Sequence, residues 1–301
     1  MRRSRPDWCR RRVPTMDVCV VTDSVASIPA SRLSDRLQVV DMFVNDGDRS
    51  EADRSIDLTE FYRRLADMKH LPTSSQPSVE TLVSTFQRAV ERGCDVVAVF
   101  MSKKMSGSWE AARMAAEIVR ERMPGARVEV VDSDAATMQE GFAALAAVRA
   151  ADAGEPFERC VQAAAETIRR TRFLFTPHTL EYMRRGGRIG SASALLAQVL
   201  QISPILCFKD GNTAVFSKVR TQRRALSEMA RVFGDDVRER GLRDVVVHYI
   251  SDFSAAETFA REFIDPIVGS TVEIVPVSPV VGLHAGPAVG ITYEAERDVR
   301  W

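Results

Sequence analysis

Two hydroxyl-rich stretches carry the densest potential chemistry in this chain. PTSSQPS at 72–78 and MSGSWEAAR at 105–113 each close a loop and open a helix, each near the end of a predicted strand. Ser/Thr clusters serve as turn and helix-capping elements. Two of them beyond strand ends can also line one pocket for an anion, because hydroxyls and the N–H groups of helix N-termini both donate hydrogen bonds. In the second stretch Ser106 and Ser108 flank Gly107, which lets a ligand approach the backbone, and Glu110 falls in the first helical turn. In the first, Thr73 and Ser74 present adjacent hydroxyls ahead of Pro77. His284 stands in VGLHAGPAVG, where Gly282, Gly286 and Pro287 describe a tight loop and an imidazole can donate to an anion.

These residues admit a second chemistry. Ser106, His284 and Asp132 can be cast as nucleophile, base and orienting acid. The GxSxG elbow is missing, however, and no spacing makes the three converge. A self-contained kinase is disfavoured for want of a GxxxxGK[ST] loop, and GGRIG is too short a signature for a nucleotide. Cys9, Cys19, Cys94, Cys160 and Cys207 are scattered, odd in number and without CxxC or Cys/His spacing, so neither a metal site nor a disulfide framework is expected. They point to a reduced, cytoplasmic protein.

The elements that must position the hydroxyls alternate in type. DVCVVTDS (17–24), CDVVAVFMS (94–102) and RVEVVDS (127–133) read as strands, and the last two precede Ala-rich helical periodicity. Continuous apolar strands separated by helices predict a parallel sheet covered on both faces. Ligands on such sheets bind beyond the carboxyl ends of the strands, where Thr22, Ser24, Ser106, Ser108 and Ser133 all arrive. Asp23 and Asp132, each followed by Ser, read as loop organisers through their acceptor oxygens. After AADAGEP (150–156) the texture changes. An apolar run leads to a helix stopped at Gly186–Gly187, and SASALLAQVLQIS (191–203) reads as a helix with an apolar face. A hairpin around Asp210–Gly211, a helix over 221–239, a strand at 244–251, a helix near 254–266 and a strand at 271–278 complete a second α/β unit with a mixed sheet.

Composition sets the outer bounds. The 301 residues are 45% hydrophobic and 27% charged with zero formal net charge, which argues against a nucleic-acid-binding surface. Residues 1–15 carry six Arg and one Asp, so that segment is expected to be a mis-assigned start or a disordered basic arm. No apolar stretch reaches the length of a membrane span.

VVTDSVASIP, SSQPS, SGSWEAA, VVDS, LEYMRRGGRI, ISPIL followed by DG, KVR, and HAGPAVGITY occur in the order found in the DegV family of bacterial fatty-acid-binding proteins, and the chain resembles that family over roughly residues 17–293. The resemblance implies a two-domain α/β fold: 16–170 as an N-terminal domain with a mostly parallel sheet and the head-group hydroxyls, and 171–301 as a C-terminal domain with a mixed sheet enclosing much of the acyl chain. It implies one buried long-chain fatty acid and no cofactor. It further implies a non-catalytic subunit that presents the carboxylate to a separate ATP-dependent kinase subunit and carries the acyl phosphate toward phospholipid synthesis, with transient membrane-surface contact. Residue by residue, Ser106, Gly107 and Ser108 match the family's Ser-Gly-Thr head-group motif, with Ser replacing Thr at the third position. Ser74 matches the Thr of Thr-Ser-Gln-Pro-Ser, with Thr73 before it, and either hydroxyl is a candidate for the carboxylate. His284 matches the C-terminal His-x-Gly-Pro. Arg188 in GGRI and Arg220 in KVR match positions suited to a phosphate, the kinase or a membrane surface, while an Arg after a glycine stop also reads as a cap on helix carbonyls.

The physical requirements of such a ligand agree with this reading. Removing about 14–16 methylenes from water at ~0.8 kcal/mol each exceeds what tight binding needs, so the head group chiefly sets orientation. A lipid-ester hydrolase and a carrier of a different apolar carboxylate are the competing expectations.

Overall fold

The computed structural model describes residues 17–68, 70–196 and 202–299; the basic segment 1–15 lies outside the described residues. In chain order the strands are β1 (Asp17–Asp23), β2 (Leu37–Val40), β3 (Phe43–Asp46), β4 (Arg49–Ala52), β5 (Thr73–Ser75), β6 (Cys94–Phe100), β7 (Val128–Asp132), β8 (Thr171–Pro177), β9 (Ser203–Lys209), β10 (Asn212–Val219), β11 (Asp244–Ile250), β12 (Glu273–Pro276) and β13 (Ala288–Glu294). They form three sheets.

The first sheet has the order β2-β1-β6-β7 and is parallel throughout, as the continuous apolar runs require. Alternate residues of β1 and β6 serve opposite faces. Cys19, Val21, Val96 and Ala98 pack with helices Val79–Glu91 and Ser108–Arg122, while Val18, Val20, Val97 and Val99 pack with helices Met138–Asp152 and Phe157–Arg170. Helix Ser108–Arg122 buries Ala111, Ala112, Ala115 and Ala116, a small-residue stripe that brings its axis close to the sheet. Neighbouring strands also bring together two cysteines that look unrelated in sequence: Cys19 Sγ lies 2.7 Å from Cys94 Sγ.

The second sheet has the order β10-β9-β8-β13-β11-β12 and is antiparallel except for the β11–β12 pair. Its β9–β10 hairpin turns at Asp210 and Gly211, both at positive φ (49° and 73°), the backbone of a tight two-residue turn. β13, which the sequence offers only as a Gly-rich motif, inserts centrally between β8 and β11. Helix Met138–Asp152 lies between the two sheets, touching β1 and β6 on one side and β8 and β13 on the other. That position explains why nearly every one of its residues is buried, including Gln139 and Glu140.

Two expectations are corrected in detail. The stretch 191–203 is not one helix: a 3-10 helix occupies Gly190–Leu195, residues 197–201 lie outside the described residues, and Ser203 already begins β9. Thr73–Ser75 is not a free turn but β5, paired with β3 in a small antiparallel sheet of order β4-β3-β5. The helix over 221–239 is present as Gln222–Arg240, and the one near 254–266 as a helix from Phe253 that widens to π geometry at Ala260–Ile264. No described helix is long and apolar enough to cross a membrane.

Candidate functional site

The seam between the parallel sheet's carboxyl edge and one face of the mixed sheet holds a cavity of about 890 Å3 of atom-free space, part of it open to solvent. Most of its wall is apolar, from side chains such as Val25, Met42, Phe173, Phe175, Ile250 and Val280. Polar groups are few, and Ser74, Ser106, Arg188 and His284 are among them.

Ser106 reaches this wall through the turn that ends β6, where its N–H donates to the Ser102 carbonyl (3.1 Å). Its Oγ accepts the Ser108 N–H at 3.2 Å from one residue before the N-cap, Gly107, and so holds the turn that opens the helix Ser108–Arg122. Ser106 is also part of the cavity wall, so holding this turn and lining the cavity are compatible roles for one residue. Ser108 stands behind it, fully buried, with its Oγ 3.1 Å from Ser106 Oγ and 3.1 Å from Met42 Sδ. Gly107 lies on the wall, but the room a Cβ would need is held by the Gln76 side chain, whose Nε2 would be 2.8 Å away. The sequence reading gave Gln76 no role, although it is the centre of the SSQPS motif.

Ser74 enters from β5, paired with Val44 of β3. Its Oγ lies 2.9 Å from His284 Nε2. Thr73, the alternative hydroxyl, is exposed and absent from the cavity wall, as adjacent strand residues point to opposite sides. His284 sits not in a loop but in the last turn of the short helix Pro279–Ala285, which ends at Gly286 with φ 69°. Burial pushes its imidazole down to about 4, and the Arg188 guanidinium acts in the same direction, so the ring is neutral near pH 7. A side chain at Gly186 would collide with His284 Nδ1; the helix-stopping glycine therefore also makes room for the imidazole.

Arg188 straps this corner together: Nη1 donates to the Gly186 carbonyl at 2.8 Å and Nε to the Met105 carbonyl at 3.3 Å. Its guanidinium is exposed at the cavity mouth. Arg220 is elsewhere, exposed just past β10 and off the wall. The structure thus brings together Ser74, Ser106, Gly107, Arg188 and His284, with Ser108 directly behind, and leaves Thr73 and Arg220 outside.

The Ser–His–Asp grouping does not assemble. The serine on His284 is Ser74 rather than Ser106, and His284 Nδ1 has no hydrogen-bond partner among the described residues. Asp132 instead accepts the Asp134 N–H at 3.0 Å, and Asp23 accepts the Val25 N–H at 3.0 Å, both as loop organisers. No cluster of His, Cys, Asp and Glu suited to a metal occurs among the described residues.

Behind the hydroxyls Asp23 meets a second buried acid, Glu140, which the sequence does not single out. Glu140 accepts from Thr22 Oγ1 at 3.0 Å and lies against Asp23. Burial pushes Asp23 up to about 7 against the opposing pull of the Val25 and Met101 amides and the Ser108 hydroxyl, and burial pushes Glu140 well above the usual carboxylate range. In sequence Glu140 is only an acid in the first turn of a helix, which is where a solvated acid also belongs.

Comparison with known proteins gives consistent results. A family model described as "Uncharacterised protein, DegV family" matches residues 17–296. A DegV domain-containing protein of Clostridium acetobutylicum is 37% identical over 292 residues, covering 95% of this chain and all of the relative. Among solved structures, a fatty-acid-binding DegV family protein from Thermus thermophilus superposes with a TM-score of 0.84 at 27% identity, covering 93% of this chain and 100% of the other. A stearic-acid-binding protein from Eubacterium ventriosum gives 0.83 at 26% identity, with 92% and 98% covered.

Proposed function

Since the chain belongs to the DegV family, we propose that it binds one long-chain fatty acid in the seam cavity, with the carboxylate held by Ser74, Ser106 and His284. The observation that carries this reading is the distribution of polarity: two hydroxyls and a neutral imidazole on the wall of a mostly apolar cavity, with Ser74 and His284 in contact. A neutral imidazole and two hydroxyls fix a carboxylate without neutralising it through a buried ion pair, which leaves its oxygens nucleophilic. Fatty acid binding by the Thermus and Eubacterium relatives supports the ligand class.

In this reading residues 16–170 supply the serines and residues 171–301 enclose most of the chain. The protein is a cytoplasmic carrier with no catalysis of its own. It presents the carboxylate to a separate ATP-dependent kinase subunit and passes the acyl phosphate to phospholipid synthesis at the membrane surface. Arg188, exposed at the mouth, is the cation best positioned to meet the new phosphate; Arg220 would touch the partner.

The test is to denature the purified protein, extract it with organic solvent and analyse the extract by mass spectrometry. One equivalent of a long-chain fatty acid is expected. An extract free of fatty acid, from a protein that also binds neither added palmitate nor oleate, rejects the carrier reading and returns the Ser74–His284 pair to consideration as ester-cleaving machinery.

A further inference from the structure

The head-group corner does not account for every polar atom on the cavity wall. His248 lies in the middle of β11 and is 1% exposed. It shares the cavity-facing side of the strand with Ile250, its ring meets Phe173 edge-on at 5.7 Å, and it forms part of the wall. Its Nδ1 is 3.2 Å from the Val275 carbonyl. A carbonyl only accepts, so Nδ1 carries the proton and Nε2 presents a bare lone pair. That Nε2 is buried and has no hydrogen-bond partner among the described residues. Burial pushes the ring down to about 4, so it does not charge near neutral pH.

The adjacent strands set the packing around this ring. His248 pairs with Gly290 of β13, and Gly290 pairs on its other side with Phe175 of β8. A Cβ at 290 would lie 2.7 Å from Phe173 Cε2 and 3.0 Å from Phe175 Cβ. The room a side chain at 290 would need is taken by the Phe173 ring, which packs across the sheet beside His248.

An unpaired acceptor in an apolar wall calls for a donor on the ligand. A carbon–carbon double bond has none, so unsaturation does not answer it. An ammonium group would bring an uncompensated charge into the cavity. A hydroxyl is small, neutral and donates one proton. We propose that the cavity accepts a long-chain fatty acid hydroxylated along its chain, with that hydroxyl donating to His248 Nε2. This deepens the carrier reading and rests on it.

The full chain, stripped of lipid, would be titrated with stearate and a positional series of monohydroxystearates in competition with a fluorescent fatty acid. One or two adjacent positions are expected to bind at least as tightly as stearate, and the remaining positions roughly tenfold more weakly, because their hydroxyls are buried without a partner. His248→Phe should abolish the advantage of the favoured position over stearate, with both ligands measured on the same variant. His248→Gln, which retains an acceptor, should restore part of it. Independently of any variant, 15N NMR of histidine-labelled wild-type protein should show the Nε2 resonance moving on addition of the favoured isomer and not of stearate. The inference is overturned if every hydroxystearate binds more weakly than stearate, or if the favoured position keeps its advantage in His248→Phe. Failure of stearate and all its hydroxylated forms to bind would overturn the carrier reading along with it.

Discussion

Replacing Asp23 with Asn should stabilise the protein at alkaline pH and leave it nearly unchanged in acid. Asp23 is fully buried, faces Glu140 and Asp53, and titrates near 7 rather than near its ordinary 3.8. Because the folded value lies above the unfolded one, the native state holds the proton more tightly. Stability therefore falls as pH rises from about 4 to about 7. At roughly 1.4 kcal/mol per pH unit, ionising this one group costs the fold on the order of 4 kcal/mol by pH 8. Asn keeps an oxygen to accept the Val25 N–H, now 3.0 Å from Asp23 Oδ1, and its amide can donate to Glu140. Urea unfolding of both proteins at pH 4 and pH 8 measures the effect. The account expects Asp23→Asn to gain about 2–4 kcal/mol at pH 8 and less than ~1 kcal/mol at pH 4. A variant destabilised at pH 8, or a difference that does not change with pH, would refute the assignment of Asp23 as a carboxyl carried neutral into the fold.

The other predictions concern the head-group corner directly. Ser74→Ala with Ser106→Ala should weaken fatty acid binding by about 10–100-fold, at ~1 kcal/mol per lost hydrogen bond, while the methyl ester of the same acid, titrated in parallel, changes by only a few fold. Gly186→Ala should push the His284 ring off Ser74, since the added methyl meets Nδ1; fatty acid affinity and the urea midpoint should both fall, the latter by about 1–3 kcal/mol in stability. His284 is held near 4, so fatty acid affinity should be flat from pH 6 to pH 8; a protonation step near 6.5, seen by 15N NMR of the ring, would contradict its buried, neutral state. Arg188→Ala should leave fatty acid affinity nearly intact, while lowering the rate of acyl phosphate formation when the partner kinase and ATP are supplied.

The sequence disclosed the parallel sheet because β1 and β6 bury both faces, so their apolar runs are unbroken, and the helices between them carry plain periodicity. β5 stayed hidden because it is three polar residues long with Thr73 as its one β-former, too short for a periodic signal; it exists through pairing with β3. The helix bearing His284 was hidden for a related reason. It is seven residues long, carries Gly282 inside and ends at Gly286, and its Pro279 start and Ser278 cap look equally like turn chemistry. Ser106 and Ser74 were legible from their places at strand and helix ends. Their separation into cavity-facing Ser74 and outward Thr73 needed the strand's two-residue alternation, invisible until β5 was known to be a strand. Glu140 and His248 are ordinary residues in an ordinary helix and strand. Only the sandwiching of that helix between two sheets, and the burial of that histidine with Nε2 unpartnered among the described residues, make them chemically unusual.

The most direct test of the central claim is 13C NMR of the protein carrying a long-chain fatty acid labelled at its carboxyl carbon. The account predicts one carboxyl resonance at one equivalent, in slow exchange with free ligand, that does not titrate between pH 5 and pH 8 and that shifts when either Ser74 or Ser106 is replaced by Ala. A carboxyl resonance at the free-ligand position, titrating as it does in solvent and indifferent to both substitutions, would place the head group outside the seam and contradict it.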